Sequence, residues 1–403
     1  MSHHDSDRTI EKGAPLFPDA GNWNILNDDL LYPVLVLKES ALHSNIDVMA
    51  RWCRQNGFLL APHGKTTMCP PIFQRQLAAG AWGITAATAQ QTLVCLKAGA
   101  RRVLIANQVV GKVAAGLLAR ALTDDVEIYC LADSVAVVEQ LAAYLHEFSP
   151  ARPLRVLIEW GRPDWRTGVA SLEQGMSVYE AIRRHRPVLE YAGVEAFEGT
   201  AHEHTQAEEF LQRALSFAGS MPEPEGAPFL FSAGGSSFLS GVLKYCGSAI
   251  DRYSVVLRSG CYVTHDHGFY ADKLKAAQAR GDSAAPAFTA ALELWAVVQS
   301  VQSPESAILT FGKRDCAYDL GLPIPLHAVP RGSGLGDRVS LDGAAIKQIN
   351  DQHAFLTASP VPLSVGDRVC CGISHPCTAF DKWRVIPVVD DAYNVLDFYR
   401  TCF

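Results

Sequence analysis

The chain has 403 residues, 48% of them hydrophobic, which is enough to bury a large core divided between two domains. Its net charge of −7 is spread without a basic block, which excludes an electrostatic footprint for nucleic acid or an anionic membrane and leaves a small molecule as the expected partner. Eleven cysteines at irregular spacing, without a charged-then-apolar leader or a run of about 18 apolar residues, point to reduced thiols in a cytoplasmic protein.

The polar start, from "MSHH" to about residue 30, reads as a surface arm or a poorly ordered segment. A first strand is expected at "PVLVL" (33–37) and a helix at "ALHSNIDVMARWCRQ" (41–55). Between residues 57 and 258 eight β-rich apolar runs follow: "FLLAP", "WGITAA", "VLIAN", "VEIYCLA", "LRVLIEW", "AGVEAFE", "PFLFSA" and "YSVVLR". Each is followed by helical spacing, as in "SVAVVEQLAAYL", and eight such units are the number that closes a (β/α)8 TIM barrel. An open doubly wound sheet is the alternative. After "KLKAAQARGDSAAP" the pattern becomes strand and turn, with strands expected in "ELWAVVQSVQ", "AILTF", "DRVCCGISHPC", "WRVIPVV" and "YNVLDFY". We therefore expect a barrel over 38–272 and a C-terminal mostly-β domain over 273–403, with "PVLVL" pairing into the latter and residues 1–37 joined to it.

Barrel chemistry gathers where the strands end. Residues at those points are His63, Gly64 and Lys65, then Asn107 and Gln108, then Arg166. Further on come Glu198, His202 and His204, the "GGSS" loop from Gly234 and the "SGCY" loop from Ser259. Lys65 reads either as a surface cation or as an amine held in a pocket. The two glycine loops are either plain turns or a phosphate cradle, since glycine lets backbone N–H groups approach an anion. A phosphate anchor and a lone lysine at one barrel mouth suit pyridoxal 5'-phosphate, whose aldehyde condenses with a lysine amine. Arg166 faces either that cofactor's phenolic oxygen or a loop carboxylate such as Asp164. In "SHPCTAFDKW", His375 and Cys377 are two apart and are expected on one face of a strand, either as a Zn²⁺ pair with open positions or as a structural histidine beside a buried thiol. Cys370 and Cys371 read as core thiols and His353 as structural.

"APHGKTTM", "LIANQVVG", "RTGV", "GVEAFEG", "SAGGSS", "LRSGCYVTHD" and "ISHPC" occur in an order that resembles the D-serine dehydratase and D-threonine aldolase family, along nearly the whole chain. The resemblance implies the alanine racemase type of barrel (fold type III) with a C-terminal β domain, and a homodimer. It implies Lys65 as the Schiff-base lysine, Arg166 at the phenolic oxygen, and Gly234, Gly235, Ser236, Gly260 and Cys261 around the phosphate through backbone amides. His375 and Cys377 match the zinc pair of the dehydratase branch, where the aldolase branch carries H-x-D with a harder cation. The sequence departs from the pattern at Thr67, where many relatives have histidine, and at Phe197, where relatives often place a tyrosine near the pyridine nitrogen. The "TAFDKW" tail suggests a sub-branch with a substrate other than D-serine.

The expected activity is dehydration of a D-3-hydroxy amino acid, such as D-serine, D-threonine or a 3-hydroxyaspartate, to a 2-oxo acid and ammonia. Lys65 takes the α-proton and the metal acts on the β-hydroxyl. The alternative is retro-aldol cleavage with His202 as base. A racemase would need a second acid/base, which the sequence does not place. A pyridoxal-phosphate carrier without turnover needs only the barrel and its lysine, so the H-x-C pair argues against it.

Overall fold

The computed structural model describes residues 11–15, 21–280, 286–357 and 363–403, so the "MSHH" start and residues 281–285 of the polar stretch after the barrel lie outside it. The chain begins with β1 (Val34–Lys38), α1 (Glu39–Gln55), β2 (Leu59–Leu60), α2 (Pro70–Ala78), β3 (Ile84–Ala86), α3 (Ala89–Lys97), β4 (Arg102–Gln108) and α4 (Lys112–Ala121). It continues with β5 (Glu127–Ala132), α5 (Val135–Phe148), β6 (Leu154–Trp160), α6 (Leu172–Arg184), β7 (Leu189–Ala196), α7 (His204–Ser220), β8 (Leu230–Ala233), α8 (Leu239–Cys246), β9 (Ser254–Leu257) and α9 (Phe269–Ala279).

Strands β2 to β9 form one parallel sheet in the order 2-9-8-7-6-5-4-3. Its two ends meet through the Trp82 N–H to the Leu60 carbonyl (2.7 Å) and the Thr85 N–H to the Pro62 carbonyl (2.8 Å). Two bonds in place of a full ladder thus close the eight-stranded barrel, and the open doubly wound alternative is set aside. Inside, Ala61, Leu104, Tyr129, Leu131, Leu157, Ala192, Leu230 and Val256 pack together, mixing small and large side chains. Truncating one of these, Leu157 for example, costs on the order of 2–5 kcal/mol. The helices start where the sequence supplies caps: Thr88, Ser134 and Ser171 accept N–H bonds from Gln91, Val137 and Gln174.

The rest of the chain adds β10 (Leu292–Ser303), β11 (Ser306–Leu309), β12 (Ile324–Val329), β13 (Val339–Ser340), β14 (Ala345–Ile349), β15 (Ala354–Thr357), β16 (Arg368–Gly372), a short α10 (Cys377–Phe380), β17 (Val385–Val389) and β18 (Val395–Arg400). The main path of this second sheet runs 13-12-16-10-1-17-18, with β11, β15 and β14 leading off β10. Strand β1 lies in its middle, antiparallel to β10 (Val34 opposite Trp295) and parallel to β17 (Leu37 opposite Val388). Four strands, β12 to β15, have no counterpart in the sequence reading, because residues 313–357 lack a sustained apolar alternation. Residues 272 and 273, where that reading divides the chain, lie inside α9. Among the described residues no helix is long and apolar enough to cross a membrane.

Candidate active site

Lys65 lies in a short 3₁₀ turn, Gly64–Thr66, that begins just past the C-terminal end of β2. Its side chain is exposed at the barrel mouth. The atoms crowding that mouth nevertheless lower its pKa through desolvation. Negative charge on the Cys377–Cys261 pair opposes the shift, and the cations Arg258 and Arg166 add to it. An amine of lowered pKa spends more time unprotonated and is the better nucleophile.

The loop after β9 meets this turn at Gly260, where a Cβ would stand 2.5 Å from the His63 carbonyl oxygen. Only glycine allows that approach. Beside it, the Thr66 hydroxyl lies 3.4 Å from Cys377 Sγ and 3.8 Å from Cys261 Sγ, and the two sulfurs are 3.3 Å apart. The pair shares a proton: the Cys377 thiol hydrogen-bonds Cys261, drawing Cys261 well below an ordinary thiol and pushing Cys377 well above one. His375 completes a cluster whose ligand atoms all lie within 4.8 Å of one another, and its Nδ1 is 2.8 Å from Asp319 Oδ2. The expectation of one strand face for His375 and Cys377 is corrected. β16 ends at Gly372, His375 lies in the following bend, and Cys377 opens α10. Cys370 and Cys371 are fully buried in β16, and His353 is exposed in the turn before β15.

Arg166 is about half exposed, with its guanidinium 4.9 Å from the Phe197 ring centroid and 3.9 Å from Glu159. Asp164 pairs instead with Arg162 at 3.1 Å. Glu159 is buried and held by Thr167 (2.8 Å) and Gln108. Arg258 also stands near Phe197, its guanidinium 5.6 Å from the ring centroid, bonded to the buried Glu195 carboxylate and to Ser232 Oγ at 2.9 Å. Burial pushes the Glu195 carboxyl up, and the bound guanidinium opposes that rise.

The N–H groups of Gly234 and Gly235 donate to the carboxylate of buried Glu198 at 3.2 and 2.7 Å. The amides of the glycine loop are therefore already taken, and in this structure their acceptor is a side chain of the protein. Ser236 Oγ accepts the Cys261 N–H at 3.3 Å, so the two glycine loops of the sequence reading touch each other. His202 is exposed in the bend before α7, with no hydrogen bond or ion pair of its side chain seen among the described residues, while His204 leans on Phe238 and Glu208.

The structure thus brings Lys65, Gly260, Cys261, His375 and Cys377 together, with Arg166 at the same mouth, while His202 is exposed in the bend before α7. The residues fit a phosphate-bearing aldehyde cofactor, with a perturbed amine, a cationic mouth and a loop whose amides already hold a carboxylate. They also fit a soft divalent metal, by the thiol and imidazole donors. Sequence reasoning missed Asp319, Arg258, Glu195 and the thiol of Cys261. The "LRSG" arginine at a strand end was the one signal that could have drawn attention to Arg258.

Residues 291–389 match the family described as "putative serine dehydratase domain". The D-threonine aldolase of Arthrobacter sp. is 26% identical over 339 residues, covering 81% of this chain and 80% of that protein. The D-threo-3-hydroxyaspartate dehydratase of Delftia sp. (strain HT23) is 29% identical over 168 residues, 40% of this chain and 43% of the relative. Among solved structures, the D-threonine aldolase of Filomicrobium marinum superposes with a TM-score of 0.76 at 22% identity, covering 93% of this chain and 95% of that one. An alanine racemase-like protein of Idiomarina loihiensis gives 0.72 at 16% identity, covering 94% and 98%. A closed parallel barrel joined to an antiparallel sheet, matched over almost its whole length, gives this chain the alanine-racemase-like fold, and its sequence is similar to that of a D-threonine aldolase and, over residues 291–389, to the "putative serine dehydratase domain".

Proposed function

We propose that the protein is a pyridoxal-phosphate- and divalent-metal-dependent lyase that converts a D-3-hydroxy amino acid to a 2-oxo acid and ammonia. The observation that carries this reading is the meeting of Lys65 with His375 and Cys377. The Lys65 amine is close enough to feel the charge of Cys377 and Cys261, and the neighbouring Thr66 hydroxyl is 3.4 Å from Cys377 Sγ, so the amine that serves the cofactor and the donors that serve a metal meet at one place.

When bound, pyridoxal phosphate supplies an electron sink for charge developing at the substrate's α-carbon. Lys65 would hold it and exchange the α-proton, a role its lowered pKa favours. Arg166 would contact its phenolic oxygen. Ser236 and the N–H groups of Gly260 and Cys261 would take the phosphate, with Gly234 and Gly235 shaping the loop while Glu198 holds their amides. Phe197 cannot hydrogen-bond, and of the two guanidiniums beside it Arg166 is given to the phenolic oxygen, which leaves Arg258 near the ring. His375 and Cys377 would hold a divalent metal, in our reading zinc, which would supply Lewis acidity toward the β-hydroxyl, otherwise a poor leaving group. The same proposal makes the protein a cytoplasmic homodimer acting on a small molecule.

Retro-aldol cleavage is the second reading, favoured by the length of the match to the Arthrobacter aldolase. It needs a base for the β-hydroxyl proton, for which the exposed His202 in the bend before α7 is the candidate. Incubation with D-serine, D-threonine and D-threo-3-hydroxyaspartate separates the readings. We expect a 2-oxo acid and ammonia, and glycine with an aldehyde would overturn the dehydratase.

A further inference from the structure

Residue 261 stands where the barrel meets the second sheet. Its N–H donates to Ser236 in the glycine loop at 3.3 Å, and its thiol lies 3.3 Å from Cys377. Backbone pairing fixes this approach: the His267 N–H donates to the Ile373 carbonyl (2.9 Å) and the Phe269 N–H to the Ser374 carbonyl (3.0 Å). At Gly372 a Cβ would stand 2.3 Å from the His267 ring, so the two segments close only because that residue is glycine.

We infer that Cys261 is a third protein ligand of the metal, so that the site is a Cys–His–Cys set and not the His375–Cys377 pair alone. The inference rests on the metal reading above. Tetrahedral zinc, with Zn–S bonds of about 2.3 Å, sets two sulfurs about 3.8 Å apart. The thiols would therefore have to open by only about half an ångström. Two thiolates and an imidazole are soft donors that select zinc over manganese or magnesium, and three protein ligands leave one tetrahedral position for a substrate oxygen. Asp319 already fixes Nδ1 of His375, which turns Nε2 to the thiols as the ligating nitrogen.

The test uses the full chain, reduced, stripped of metal and free of cofactor, titrated with Co²⁺ while thiolate-to-cobalt charge-transfer absorption is followed. Cys261→Ser is expected to halve the band and to weaken binding by about tenfold or more, as Cys377→Ser does. A full-strength band in Cys261→Ser overturns the third ligand and leaves the His375–Cys377 reading standing, whereas no band in the unaltered protein overturns both. A second measurement needs no variant: zinc-edge X-ray absorption of the zinc-loaded chain. Two sulfurs at about 2.3 Å support the proposal, and one sulfur or none overturns it.

Discussion

Nδ1 of His375 lies 2.8 Å from Oδ2 of Asp319, and the other carboxylate oxygen of Asp319 accepts the Thr378 hydroxyl at 2.7 Å. A carboxylate held at both oxygens sets the tautomer and the ring angle of the imidazole, leaving Nε2 free to bind a metal. Asp319→Asn should keep the fold and weaken metal binding by about 10–100-fold, measured by competition with a chromogenic chelator. Unchanged affinity would show that His375 does not ligate through Nε2.

Lys65 is expected to bear the covalent link to the cofactor. Lys65→Ala should abolish the yellow absorbance that appears on adding pyridoxal phosphate and lower turnover by at least about 10³-fold. Yellow absorbance that persists in Lys65→Ala, with a pyridoxyl group left on the protein after borohydride reduction and dialysis, would move the link to another lysine.

Arg258 and Glu195 form an ion pair with both side chains almost fully buried, at 4% and 0% exposure. Arg258→Met leaves a carboxylate with no compensating charge, at a cost of about 3–5 kcal/mol. Replacing Glu195 by leucine as well should restore most of that loss. Chemical denaturation of the two variants checks the ordering, and equal stability of single and double variants would contradict it.

His265 is buried against Phe288, with ring centroids 6.0 Å apart. Burial, with a smaller contribution from His267, draws its pKa down to about 4. Its folded-state pKa lies below the unfolded value, so the unfolded chain binds more protons between the two. The stability it contributes is full above about pH 6.5 and is lost as pH falls through about 4, up to about 3 kcal/mol. Asp266, pushed up to about 6 by burial, works in the opposite sense, losing stability as pH rises. The comparison is therefore with His265→Gln, whose unfolding free energy should fall less than the parent's between pH 7 and pH 5. Parallel curves would show that the histidine is already protonated in the fold.

Much of the barrel was legible because its rule is local. Each of its eight strands is a short apolar run ended by a polar or glycine residue, and a periodicity read over a few residues reports it. The second sheet was half legible: β10, β16 and β17 are apolar, whereas β12 to β15 carry polar residues such as His327, Ser340, Lys347 and Gln348, whose strand state comes from pairing partners. His202 follows the same local rule, a polar residue after a strand, and lies exposed in the bend before α7.

Within the chain alone, the order of strands and helices, the residues that end each barrel strand and the H-x-C pair were already determined, since these depend on neighbours a few positions apart. Contact between Cys261 and Cys377, 116 residues apart, and the partnership of Asp319 with His375 were decided only in three dimensions. The reason is physical: a metal site is a matter of ångströms between side chains, and chain spacing carries no such distance until the barrel closes and the second sheet docks on its rim.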